Sequence, residues 1–90
     1  MTTIRVTEHS VSIDRLAREF HGYRILQIAD LHLGRRDPAA ELLRTVAALP
    51  ADLVVLTGDL IHDVRCVELL YRFLPDLVNA VHPPDGIFSV

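Results

Sequence analysis

The sequence predicts an α/β fold of mostly parallel strands joined by crossover helices. Two near-continuous apolar runs, Tyr23–Ala29 (YRILQIA) and Leu53–Thr57 (LVVLT), have the pattern of buried strands. Each run is followed by a stretch whose apolar residues recur at helical spacing. The resulting order is strand, strand, helix, strand, helix, strand, and its second half alternates as right-handed strand–helix–strand units do.

Ninety residues, 50% hydrophobic and 23% charged, suit a single globular unit over 1–90 and exclude wholesale disorder. A net charge of −3, with all nine basic residues Arg, gives no basic face, so nucleic acid is not the expected partner. The single cysteine, Cys66, forms no internal disulfide and no CxxC pattern, which fits a reducing compartment. Met1–Ser10 carries Glu8 and His9 and lacks the apolar centre of a signal peptide. The longest fully apolar runs, such as Leu53–Leu56, fall far short of the roughly 20 residues of a membrane-spanning helix. A soluble, cytoplasmic chain is expected.

Along the chain, Ile4 and Val6, then Val11 and Ile13, alternate with polar residues as in a half-buried strand, with a bulge or turn at Glu8–Ser10. Leu16 and Phe20 suggest a short helical turn closed by Gly22. The Tyr23–Ala29 strand leads into a loop, Leu31–Arg36. Asp37 is the expected N-cap and Pro38 the first residue of a helix reaching about Leu49, with Leu42, Leu43, Val46 and Leu49 on one face. Pro50 ends it. The Leu53–Thr57 strand is expected to be covered on both faces. A second helix is expected over Val64–Leu74, with Val67, Leu70 and Leu74 inward and Pro75 breaking or kinking it. A turn over Asp76–Val81 and another at His82–Gly86 lead to a last strand at Ile87–Val90.

The residues able to carry chemistry lie at the carboxyl ends of the two central strands, where ligands of open α/β sheets gather. Asp30-Leu31-His32 follows the first strand. In an extended segment, residues i and i+2 point to the same side, so Asp30 and His32 could share one cation. Mixed carboxylate and imidazole donors suit Zn, Fe or Mn better than Ca. Gly58-Asp59 follows the second strand, and the two oxygens of Asp59 are enough for two metals. Each residue also has a plainer reading: Asp after a strand is a common turn former, and His32 fits a locally bonded loop histidine.

The stretches ILQIADLHLGR (25–35) and DLVVLTGDLI (52–61) resemble the calcineurin-like metallophosphoesterases, whose signature runs D-x-H, G-D, G-N-H-[DE] and a late G-H-x-H. The resemblance covers essentially Ile4–Val90. It implies the N-terminal part of a four-layered α/β/β/α sandwich with a dinuclear centre of divalent metals (Mn, Fe or Zn). Asp30 and His32 would bind the first metal and Asp59 would bridge both. The Leu-Gly-Arg after D-x-H is most similar to a bacterial branch that acts on phosphodiester or pyrophosphate bonds and often carries an N-terminal membrane anchor. No anchor pattern occurs here, and Ala29 stands where that branch usually has Ser.

GIFSV (86–90) resembles the strand that leads into G-N-H-[DE], and the chain ends there. The resemblance therefore implies a metal-dependent phosphoric ester hydrolase present as an N-terminal portion. It would supply three metal ligands and no general acid, with weak metal binding and little or no hydrolysis alone. A C-terminal half or self-association would complete it, with a phosphoester as substrate. The alternative is a non-enzymatic piece of a truncated or split gene that serves only in binding or assembly. A third reading, an unrelated module holding a single Mg²⁺, is opposed by His32. Among the remaining candidates, His62 follows Gly58-Asp59 closely, but a solvated loop histidine is the preferred reading. Arg35 and Arg36 suit either phosphate contact or a solvated loop, and Cys66 suits packing.

Overall fold

A computed structural model describes residues 4–34 and 38–90. Three parallel strands form one sheet in the order β1 (Ile25–Ala29), β2 (Leu53–Thr57), β3 (Ile87–Ser89). Helix α1 (Ala39–Ala47) crosses from β1 to β2, and α2 (Val67–Val81) from β2 to β3. The two helices pack against each other and share one face of the sheet. This is the α/β arrangement expected of the N-terminal part of a metallophosphoesterase fold.

Strand alternation builds the core. Ile28, Val54 and Leu56 point to the helix side and are buried, where they meet Leu42 and Val46 of α1 and Phe73 and Leu77 of α2. The opposite face is not covered as the LVVLT run suggested. Leu53, Val55 and Thr57 are only half-buried, and Ile25 and Phe88 are exposed. Both crossovers lie on one side, so that face of β2 has no layer over it among the described residues.

Register is set at the amino ends of the strands. The Asp52 carboxylate accepts from the Arg24 amide (2.8 Å), and the Asp52 amide donates to the Arg24 carbonyl (2.9 Å). The Asp85 amide donates to the Asp52 carbonyl (2.9 Å), and the Tyr23 hydroxyl donates to the Asp85 carboxylate. These bonds align Ile25 with Leu53 and Val54 with Ile87. That hydrogen bond, and the negative charge of Asp85 and Asp52 nearby, push the Tyr23 phenol up to about 12.

Several elements depart from the expectations. No strand forms over residues 4–13: Ile4 packs on the core, but Val6, Val11 and Ile13 are exposed and outside any ladder. Alternation alone makes no strand when no neighbouring strand receives it. The turn before β1 is a 3-10 turn, Arg18–Phe20, followed by Gly22 at φ 76°. Pro38 occupies the N-cap of α1 and not its first turn, and the expected cap Asp37 lies outside the described residues. Helix α1 stops at Ala47, where the last turn tightens: the Ala48 and Leu49 amides donate to Thr45 and Val46.

Pro75 does not break the second helix. A 3-10 turn, Val64–Cys66, precedes α2, which then runs through Pro75 to Val81. Pro75 is exposed, so the carbonyl it leaves without an amide partner faces water, and burial of Phe73 and Leu77 on the opposite face holds both halves to the core. The inward set is thus Phe73 and Leu77, with Leu70 and Leu74 partly buried beside them. His82 ends the helix in a left-handed conformation and donates its amide to Val78. No helix among the described residues is long and apolar enough to cross a membrane.

Candidate metal centre

Beyond β1 and β2, the two segments keep running side by side. The Asp30 amide donates to the Gly58 carbonyl (3.2 Å), His32 to Asp59 (2.9 Å), and Leu33 to Leu60 (3.0 Å). The His62 amide returns to the Leu33 carbonyl (2.7 Å), and Leu33 bridges Ile61. Leu31 and Leu33 turn inward and are buried, whereas Asp30 is exposed and His32 half-buried. The apolar residues of the D-L-H-L segment therefore anchor it on the core and leave its polar residues facing out. The expectation of a plain loop missed this anchoring, although the alternation was present in the sequence.

The segment is not extended. Asp30 (φ 59°), His32 (φ 49°) and Asp59 (φ 55°) all adopt left-handed backbone, as does Gly58 (φ 39°). Asp and His tolerate this region better than most residues. Side chains thus converge through tight turns at both strand ends, and not through the i, i+2 geometry of a strand. One carboxylate oxygen from Asp30, one from Asp59 and one ring nitrogen of His32 lie within 4.8 Å of one another. His9, His21, His62 and His82 stand outside this group. Arg35 and Arg36 lie outside the described residues.

Four residues beyond Asp59, Asp63 caps the 3-10 turn. Its carboxylate accepts from the Arg65 amide (2.8 Å) and from the Arg65 guanidinium (2.9 Å). The guanidinium bond first, then the amide bond, hold the Asp63 carboxyl below its usual range. This residue was not singled out in the sequence, although an acidic residue just ahead of a helical stretch is an ordinary capping signal.

Parallel strands with both crossover helices on one face describe an α/β protein, and its Asp/His/Asp group lies at the carboxyl strand ends, where ligands of such sheets gather. The family model for calcineurin-like phosphoesterase matches residues 23–87. The chain belongs to that family. It is 35% identical over 91 residues to the UDP-2,3-diacylglucosamine pyrophosphatase LpxG of Chlamydia trachomatis serovar D, covering 96% of this chain and 26% of that protein. It is 45% identical over 81 residues to the protein of that name from Chlamydia muridarum, covering 83% and 24%. It is 28% identical over 86 residues to the uncharacterized metallophosphoesterase YkuE of Bacillus subtilis, covering 92% and 30%. The chain thus spans about a quarter of the length of the curated relatives it matches. No solved structure matches it significantly.

Proposed function

We propose that these residues form the metal-binding part of a metal-dependent phosphoric ester hydrolase, of phosphodiesterase or pyrophosphatase type. The observation that supports this most is the convergence of Asp30, His32 and Asp59 within 4.8 Å, at the ends of adjacent parallel strands in a calcineurin-like phosphoesterase chain. The donor set fits divalent Mn, Fe or Zn: two carboxylates and one imidazole, open to solvent on one side and backed by buried leucines. Asp30 and His32 would hold one ion, and the second oxygen of Asp59 allows it to serve two. Bound cations supply Lewis acidity, lowering the pKa of a nucleophilic water and offsetting negative charge on the phosphoryl oxygens. The chain's own contribution is orientation: the paired amide–carbonyl bonds between the two loops hold the backbone that carries the donors.

We further propose that 1–90 form part of a larger catalytic unit. The pyrophosphatase name of the two chlamydial relatives favours a pyrophosphate diester over a simple monoester as substrate. The test is manganese-dependent hydrolysis of bis-p-nitrophenyl phosphate and of a nucleoside diphosphate diester by the gene product that carries these residues. Turnover should be abolished by Asp59→Asn, and a rate indifferent to that change would remove the proposal. The ninety residues alone should give no rate above buffer. Asp59-dependent turnover by them would show that the larger unit is unnecessary.

A further inference from the structure

The loop carrying Asp30 and His32 ends at Gly34, which has φ 106° and sits against Cys66. A Cβ on Gly34 would fall 2.2 Å from the Cys66 Sγ and 3.0 Å from the Cys66 Cβ. The sulfur therefore fills the space that any other residue at position 34 would need. Its own position is held from the other side: the Cys66 thiol donates to Asp63 Oδ1 (3.7 Å), and the Cys66 amide donates to the Asp63 carbonyl (2.9 Å). Asp63 in turn lies next to His62, whose amide bonds to Leu33 at 2.7 Å.

We propose that Cys66 is a positioning residue for the candidate metal centre: its sulfur, seated on Gly34, holds the Asp30–Gly34 segment in register with Asp59–Asp63. The three donors belong to these two segments, so a shift of one against the other moves Asp30 and His32 away from Asp59. The contact sits two residues beyond His32 and touches none of the three donors, so its effect passes through backbone geometry. The functional part of this inference rests on the metal reading above; the contact itself does not.

A double-mutant cycle on Gly34→Ala and Cys66→Ala, read in two ways, tests it. Amide exchange of Leu33 and His62 in the metal-free chain reads the register of the two segments, with Val54 and Leu56 as core controls. Cobalt titration, followed by visible absorption, reads the site. Gly34→Ala should speed exchange at Leu33 and His62 and weaken cobalt binding by about tenfold or more. Adding Cys66→Ala removes the 2.2 Å contact with Sγ, although neither the 3.0 Å approach of the residue 66 Cβ nor the left-handed backbone, and should recover at least about twofold in affinity, the lower end of coupling between touching residues. Cys66→Ser keeps a small donor in place and should behave as the parent chain does.

Additive effects of the two substitutions on exchange overturn the proposal, whether or not cobalt binds. Coupling in exchange, together with cobalt binding that ignores Asp59→Asn, overturns the metal reading and takes the positioning role with it. Should Gly34→Ala fail to fold, as loss of protection at Val54 would reveal, Cys66→Ala against Cys66→Ser carries the test. Equal cobalt affinity and equal Leu33 exchange in those two variants would overturn it.

Discussion

Asp30, His32 and Asp59 adopt a backbone conformation that costs an ordinary L-residue roughly 1–2 kcal/mol. Three such residues at the ends of two neighbouring strands mark a place where the fold holds polar side chains in a chosen direction against local preference. The consequence separates stability from binding at Asp59. Asn tolerates left-handed backbone, so Asp59→Asn should leave the urea midpoint nearly unchanged while manganese affinity falls. Asp59→Val, β-branched at the same φ, should also lose about 1–2 kcal/mol of stability. Equal stability of the two variants would mean that the left-handed backbone at Asp59 carries no strain. The motif residues themselves were legible in the sequence because carboxylates and imidazole follow apolar runs. Their left-handed backbone was not, because Asp and His tolerate that region without requiring it.

At the scale of elements, β1, β2 and α1 were legible because local pattern and tertiary burial agree there: Ile28, Val54, Leu42 and Val46 are apolar at the expected period and are all in the core. Pro75 misled because a local rule met a stronger tertiary term. Restoring the amide should therefore stabilise the chain. Pro75→Ala lies on the exposed side of α2 and should add up to about 3 kcal/mol in a urea melt, with no effect on metal binding. A loss of stability would show that the fixed backbone angle of Pro75 outweighs the missing amide.

The Tyr23–Asp85 bond that seats β3 supplies a second test. The phenol is raised from 10.0 to about 12, so the stability it contributes is fully present below pH 10 and is lost as pH rises through about 12. In a Tyr71→Phe background, tyrosinate absorbance should report this late titration, and Asp85→Asn should bring it back toward the ordinary value. An unchanged titration in Asp85→Asn would refute the bond.

Among the described residues, the sheet is layered on one side only. Ile25 and Phe88 are 61% and 57% exposed on the face opposite the helices. Exposed apolar sheet surface favours association. Size-exclusion chromatography of the ninety residues should show concentration-dependent self-association, reduced by Phe88→Glu. A sharp monomer peak with an ordinary two-state stability of about 5 kcal/mol or more would instead describe a self-sufficient domain.

Manganese-induced broadening of amide resonances reads whether Asp30, His32 and Asp59 act together as one cation site. Substoichiometric Mn²⁺ should first erase the signals of Asp30–Leu33 and Gly58–Leu60, and this local loss should disappear in Asp59→Asn. Broadening spread over exposed carboxylates such as Asp14, Glu19, Glu68 and Asp76, or unchanged by Asp59→Asn, would mean that the three residues do not form a cation site.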